Sequence, residues 1–380
     1  MHDPGEAPMD ALSALRERLA GVDGELVALL ARRAELSARI ADAKDAAGLP
    51  TRDFRQEREV LERARAAALD LGADPDLAEA AVLLLVRDSL TVQERARVAA
   101  AGGGDGRRAL VIGGHGRMGL WFSRFLASQG FRVEVADPAS PPAGSEWPHR
   151  ARWEDGRVDH EVVVVAAPLA ASARILRELA GRAPPGLVFD IGSLKTPLRG
   201  GLEELRAAGV RIASIHPMFG PDTRLLSGRH VIFADAGVPE ATAAAGALFD
   251  ATMATRVEMG LEEHDRLIAY VLGLSHALNV AFFTALAGSG EDAPRLAELS
   301  STTFDAQLDV AALVACDNPA LYFEIQHLNE FGMEPLDALA DAVDRVREAV
   351  ARGDGEAFRR LMEAGRSYLS ARGSAPAASR

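Results

Sequence analysis

Seven residues in the first hundred carry a spacing that ordinary surface charge lacks: Arg16, Arg33, Lys44, Asp53, Glu57, Ser89 and Gln93. Arg33 and Lys44 are eleven residues apart, three helical turns, which puts them on nearly one helix face. At a rise of 1.5 Å per residue they are separated by about 16 Å, so two long cationic side chains can grip both ends of one small dianion. Arg16 lies about 25 Å from Arg33 along the same helix and cannot reach that molecule. If all three serve one pocket, Arg16 comes from a second subunit. Asp53 and Glu57 are one turn apart on a second helix, and Ser89 and Gln93 one turn apart on a third. The ordinary alternative is a solvated coiled coil whose charges face water.

A second group suits a dinucleotide. Gly114-His115-Gly116-Arg117-Met118-Gly119 follows the apolar run Ala109–Ile112 and opens a helical pattern. In that setting Gly114 permits the tight turn, Gly116 lets backbone approach a pyrophosphate, and Gly119 lets helix and strand pack closely. The helix N-terminus adds unpaired N–H groups and a positive dipole end. Arg117, Met118 and Pro168 are counted with this cofactor site. Asp137 ends the second strand, where a carboxylate can bind the adenine ribose hydroxyls and repel a 2′-phosphate. Pro138, Ala139 and Ser140 follow without an Arg, which favours NAD over NADP.

Ser193 and His216 sit just beyond two later strands, at the carboxyl edge where this fold places ligand chemistry. His216, held between a strand and Pro217, can accept a hydroxyl proton as hydride leaves the same carbon. Ser193 can hydrogen-bond that hydroxyl or the His. His264 and His276 are twelve residues apart, on roughly one helical face, and one or both are expected to line the cleft. A helix-capping role stays open for His264. No spacing is diagnostic of a metal, and hydride transfer to NAD needs none, so none is expected.

These residues need rigid carriers. Leu12, Leu15, Leu19, Val22, Leu26 and Leu29 form an a/d seam on a first helix of about 35 residues, which needs a partner helix. Gly48-Leu49-Pro50 breaks it, a second helix runs from Asp53 to about Asp70, and Asp74-Pro75 caps a third reaching about Val98. An intertwined homodimer is expected. The glycine-rich stretch at 101–107 reads as a linker. Strand-like runs at 109–112, 132–136, 162–166, 187–191, 211–215 and 230–233 alternate with helices, arguing a doubly wound parallel sheet over 108–257. From about Glu258 strand signals vanish, leaving a helical domain over 258–372 and a small polar tail over 373–380. The fold class is thus multidomain: an all-α domain over 1–100, a Rossmann-like α/β domain and an all-α dimerisation domain.

A net charge of -13 excludes general nucleic-acid binding, so any anion site is a local cluster. The single cysteine, Cys316, permits no intrachain disulfide. No signal-peptide pattern precedes the helices and no apolar run approaches about 20 residues. A cytoplasmic enzyme with small-molecule substrates and no membrane partner is expected.

Residues 107–372 resemble the prephenate dehydrogenase family. The likeness rests on the glycine turn, Asp190-x-x-Ser193-x-Lys195, His216-Pro217-Met218-Phe219-Gly220-Pro221, Glu263-His264-Asp265 and Leu321–Gln326. It implies that His216 is the catalytic proton acceptor, that Ser193 assists it, and that the helical part forms a dimer. Many relatives carry an Arg for the substrate carboxylate after the Ser300–Thr303 run, where this chain has Asp305. Residues 10–98 resemble the all-helical chorismate mutase family at the seven positions named first. That likeness implies carboxylate binding by Arg33 and the partner subunit's Arg16. It puts Lys44 and Gln93 at the ether oxygen, and Glu57 with the Asp53 region at the ring hydroxyl. Where that family has an Arg just before the Glu, this chain has Gln56. Together the two resemblances imply consecutive steps of tyrosine biosynthesis, chorismate to prephenate and then, with NAD, to 4-hydroxyphenylpyruvate. The alternatives are a dehydrogenase for arogenate or the 4-amino analogue of prephenate, or a β-hydroxyacid dehydrogenase with a helical dimerisation module.

Overall fold

The computed structural model describes residues 6–372, with the side chains of 11–44 and 46–371. The expected tail from 373 lies outside the described residues. The chain forms two compact units, one of residues 1–103 with the short segments 223–227 and 251–253, the other of the remainder.

The first unit holds α1 (Glu6–Ala46), α2 (Phe54–Leu71) and α3 (Pro75–Ala100). The Asp53 carboxylate caps α2 by accepting the Arg55 and Gln56 N–H groups at 3.0 and 3.1 Å. Gly72 ends α2 in the left-handed conformation at φ 71°, which glycine adopts without a Cβ clash. Asp74 caps α3, with Pro75 fitting the first turn. The seam on α1 stays open: Leu12, Leu15, Leu19, Val22, Leu26 and Leu29 are all exposed. Glu94 on α3 is buried and accepts the Leu226 and Met253 N–H groups at 2.7 and 2.5 Å, which ties both short segments into this unit.

The second unit is built on one eight-stranded sheet. In chain order it comprises β1 (Arg108–Ile112), α4 (Arg117–Ser128), β2 (Arg132–Ala136), β3 (His149–Arg150), β4 (Val162–Val165), α5 (Leu169–Ala180), β5 (Leu187–Asp190), α6 (Arg199–Ala207), β6 (Arg211–Pro217), β7 (His230–Asp235), α7 (Pro239–Ala247) and β8 (Thr255–Gly260). The strand order is β3-β2-β1-β4-β5-β6-β7-β8. Strands β4 and β5 are buried throughout, as parallel strands covered on both faces must be. The order reverses between β1 and β4, which opens a crevice at their carboxyl ends.

Two features depart from the sequence expectation. Strand β7 pairs antiparallel with β6, so the sheet is mixed. The sequence signal also ended too early, because β8 continues to Gly260. As an edge strand it alternates half-buried Val257 and Met259 with exposed neighbours, so it lacks the continuous apolar run of the inner strands. The expected linker divides as well. Gly104 packs against Gln129–Phe131 so closely that a Cβ would lie 2.4 Å from the Gly130 carbon, and its N–H donates to the Gln129 carbonyl.

After β8 come α8 (Leu261–Ile268), a π-helical segment (Ala269–Leu274), α9 (Ser275–Gly288), α10 (Ala293–Glu298), α11 (Thr302–Ala315), α12 (Pro319–His327), α13 (Met333–Arg352) and α14 (Gly355–Arg372). The π segment joins α8 and α9 into one helix, Leu261–Gly288, that is long and apolar enough by length and composition to cross a membrane. This corrects the reading that no segment approaches that length. The same composition suits a helix whose apolar face another chain covers.

Candidate active sites

The glycine turn sits at the crevice. The residue that takes the left-handed turn is Gly113, at φ 83°, not Gly114 as the sequence suggests. A Cβ on Gly113 would meet the Ala166 carbonyl oxygen at 2.7 Å, and one on Gly114 the Val135 side chain at 2.6 Å. Gly119 behaves as expected: a Cβ there would lie 2.1 Å from the Gly113 carbonyl oxygen. At Gly116 a Cβ meets only that same oxygen, at 3.2 Å, so the outer side of the turn is open. Gly116 is the N-cap of α4 and supplies no side-chain cap, which leaves the first N–H groups for an anion. The Arg117 side chain turns outward to Asp222 and Asp317. Met118 is half-buried, and Pro168 is exposed as the N-cap of α5 just beyond β4.

Asp137 is held firmly. One carboxylate oxygen accepts the His115 N–H at 3.0 Å and the other the Ala139 N–H at 2.8 Å. Each oxygen keeps lone-pair capacity for a ribose hydroxyl. The tight glycine turn, the uncapped helix end and this carboxylate together fit a dinucleotide.

Three strand spacings from β1, about 14 Å, a buried polar chain begins at the end of β6. His216 is 5% exposed, and His264, Asp265, Lys195 and Asp190 are fully buried. His216 Nδ1 lies 2.9 Å from His264 Nε2, and His264 Nδ1 lies 2.7 Å from Asp265 Oδ1. Asp265 in turn accepts the Lys195 N–H at 2.8 Å, the Thr196 N–H, and the Thr196 hydroxyl at 2.5 Å. The Lys195 ammonium donates to Asp190 Oδ1, the Gly192 carbonyl and the Ile215 carbonyl, all within 2.9 Å.

This chain of bonds fixes the tautomers. Burial pushes the Asp265 carboxyl up, but bonds from His264, Thr196 and the Lys195 N–H outweigh it and hold the group below its usual range. An ionised Asp265 takes the Nδ1 proton of His264 as a hydrogen bond. His264 Nε2 must then accept, so His216 donates from Nδ1 and its Nε2 carries the free lone pair. Burial, then repulsion from His264 and Lys195, holds the His216 pKa well below 6.5. His216 is therefore neutral at neutral pH and oriented as a base. Ser193 is half-buried in the loop after β5.

A π-helical segment, Ala269–Leu274, lies between His264 and His276. His264 does not cap α8, because Gly260 occupies that position. His276 packs on Tyr322 at 4.2 Å between ring centres, with its Nδ1 buried and unsatisfied. Burial lowers its pKa. Among the described residues no group of three or more His, Cys, Asp or Glu is placed to hold a metal ion.

In the helical unit, Arg33 donates to the Leu85 carbonyl at 2.6 Å and to Ser89 Oγ at 2.5 Å. Gln93 is buried and reaches Ser37 Oγ at 3.4 Å, while its Oε1 is unsatisfied. Lys44 donates to the Thr51 carbonyl at 2.8 Å. A small cavity of about 70 Å³ joins Lys44, Gln93, Thr51 and Arg97. Arg33 thus meets Ser89, and Lys44 shares a cavity with Gln93. Arg16 is exposed on α1. Asp53 is the N-cap of α2, with one carboxylate oxygen engaged in the cap. Sequence reasoning missed Arg52, whose guanidinium binds Glu57 through two bonds. It also missed Ser37, Thr51 and Arg97, for which no spacing rule gives a signal.

Residues 15–94 match the chorismate mutase type II family, 154–249 the prephenate dehydrogenase nucleotide-binding domain, and 261–364 the prephenate dehydrogenase dimerization domain. A T-protein of Enterobacter agglomerans is 28% identical over 351 residues, covering 91% of this chain and 90% of that protein. A 4-amino-4-deoxyprephenate dehydrogenase of Streptomyces pristinaespiralis is 31% identical over 277 residues, covering 70% of this chain and 92% of that protein. Among solved structures, the prephenate dehydrogenase of A. aeolicus in complex with hydroxyphenyl propionate and NAD+ superimposes with a TM-score of 0.57. It is 18% identical and covers 70% of this chain and 98% of that one. The family matches, the Streptomyces relative and the shared domain order together show that the chain belongs to the prephenate dehydrogenase family and carries a chorismate mutase domain of type II ahead of that module.

Proposed function

We propose that the chain converts chorismate to prephenate in its first unit and oxidises prephenate to 4-hydroxyphenylpyruvate in its second. The functional segments are 1–100 for the mutase, 108–257 for NAD binding and 258–372 for substrate binding and dimerisation. The observation that carries the dehydrogenase reading is the His216–His264–Asp265 chain at the carboxyl edge of an NAD-type sheet. His216 Nε2 takes the proton of the ring hydroxyl, while Asp265, through His264, stabilises the imidazolium that forms. The glycine turn, the open N-terminus of α4 and Asp137 would hold NAD, which when bound would supply the acceptor for the hydride on the carbon that bears that hydroxyl. Loss of carbon dioxide then completes the aromatic ring. Ser193 orients the hydroxyl, and His276, with its buried unsatisfied nitrogen, faces substrate. Replacing His216 by Asn tests the assignment: dehydrogenation should fall by about 10²–10⁴-fold, and retained activity would refute it.

The mutase step is pericyclic and needs no nucleophile. Its pocket has to hold one conformer and stabilise charge on the breaking ether oxygen. Arg33 and the partner subunit's Arg16 bind the carboxylates, Lys44 and Gln93 meet the ether oxygen, and Ser89 supports Arg33. Glu57 binds the ring hydroxyl, with Asp53 fixing the start of α2. A homodimer is supported by the open α1 seam and by the dimerization-domain match at 261–364. A cytoplasmic location is supported by the likeness to T-proteins. The Streptomyces relative favours a second reading, in which the ring carries an amino group in place of the hydroxyl. Rates on the two ring substrates separate these readings.

A further inference from the structure

Position 56, where the resemblance calls for Arg, holds an exposed Gln. A guanidinium nevertheless reaches the neighbouring Glu57, from the other side of the α2 cap. Arg52 Nε lies 2.9 Å from Glu57 Oε1, and its NH2 nitrogen lies 3.0 Å from Oε2. The two side chains are 17% and 18% exposed. A third guanidinium nitrogen donates to Ser227 Oγ at 2.6 Å, within the same compact unit, and the Arg52 plane lies 4.3 Å from the centre of the Phe54 ring. Arg52 is therefore pinned on several sides, and the fork geometry consumes one lone pair on each Glu57 oxygen.

We propose that Arg52 is a specificity-determining residue of the mutase pocket, which by neutralising Glu57 selects a substrate with a neutral ring hydroxyl over one with a ring ammonium. The inference rests on the functional reading above, in which Glu57 meets that ring position. Each Glu57 oxygen keeps a second lone pair, enough to accept a hydrogen bond from a hydroxyl. An ammonium at the same place would meet an ion pair of zero net charge, with the Arg52 cation beside it. Like charges in a partly desolvated pocket repel strongly, so a positive group on the ring is rejected by charge as well as by the lack of a free carboxylate. A pocket built for the amino analogue would present a carboxylate with no cation on it.

The test measures kcat/KM of the full chain for chorismate and for 4-amino-4-deoxychorismate, in the wild type, Arg52→Gln and Arg52→Lys. The helical circular-dichroism signal and the thermal midpoint of the full chain report that the variants fold. The wild type is expected to favour chorismate. Arg52→Gln should shift the ratio toward the amino compound by about tenfold or more, because it frees the Glu57 charge. Arg52→Lys keeps the charge and should retain most of the wild-type ratio. Equal losses on both substrates in Arg52→Gln would reduce Arg52 to a structural residue and overturn the inference. So would a wild type that uses the amino compound as well as chorismate. A wild type inert toward chorismate would overturn the functional reading and this inference with it, whereas an unchanged ratio in active variants overturns the inference alone.

Discussion

The proposed role of His216 as base depends on what surrounds it, and its pH behaviour follows from those surroundings. Burial lowers its pKa well below 6.5, and the same cause lowers those of His160 and His264. A depressed pKa keeps the imidazole neutral, so dehydrogenase kcat/KM should stay flat as pH falls through 6.5 and decline only at lower pH. A pH–rate profile with its acid limb at or above 6.5 would contradict this. The stability effect has the same sign. The unfolded chain binds more protons than the folded one below its histidine pKa, so stability should be full above about 6.5 and fall as pH drops beneath it. Urea midpoints between pH 5 and 8 measure it. Lys195 illustrates the cost of a buried charge. Lys195→Met would leave Asp190 charged and unpaired in a fully buried site, with an expected loss of about 3–5 kcal/mol by urea denaturation. His216 was readable from its Pro-Met-Phe-Gly-Pro context. His264 was named as a cleft residue, but its contact with His216 was not legible, because no local spacing records which strand end α8 meets. Arg52 was hidden for a related reason: it lies in a turn and meets Glu57 across a helix cap.

The elements place these residues by rules that the sequence states unevenly. Strands β1, β2, β4, β5, β6 and β7 are short apolar runs, legible because strands buried on both faces carry few polar residues. Strand β8 and the two-residue β3 lie at the sheet edges, where half-burial erases that signal. The antiparallel β6–β7 pairing leaves no mark on periodicity. The π segment is similarly silent. At the glycine turn, sequence gave the motif and structure reassigned the parts, since Gly113 takes the positive φ and Gly114 makes room for Val135. Gly119 offers the sharpest test. An Ala there puts a Cβ 2.1 Å from the Gly113 carbonyl oxygen, and that backbone cannot move without deforming the turn. Gly119→Ala should raise KM for NAD by about tenfold or more, with the mutase rate unchanged. An unaltered KM for NAD would show that the turn does not hold the cofactor.

At the scale of the molecule, the proposed sharing of the mutase pocket between subunits rests on the exposed α1 seam and on the place of Arg16 along the same helix. Arg16→Ala and Arg33→Ala should each abolish most mutase activity alone. Unfolded together and refolded at equal ratio, they should recover about a quarter of the wild-type rate, because half the dimers then hold one intact pocket. No recovery would mean that Arg16 serves its own chain or no pocket. The domain order was legible because each unit carries its own chemical signature, whereas the subunit arrangement had to be inferred from a helix too apolar on one side to stand alone. The central claim, that one chain performs two consecutive steps, is tested most directly by giving the purified protein chorismate and NAD and following NADH with product analysis. One NADH and one 4-hydroxyphenylpyruvate are expected for each chorismate consumed. Prephenate accumulating without NADH, or NADH formed only from the 4-amino analogue, would show that the chain does not couple the two steps.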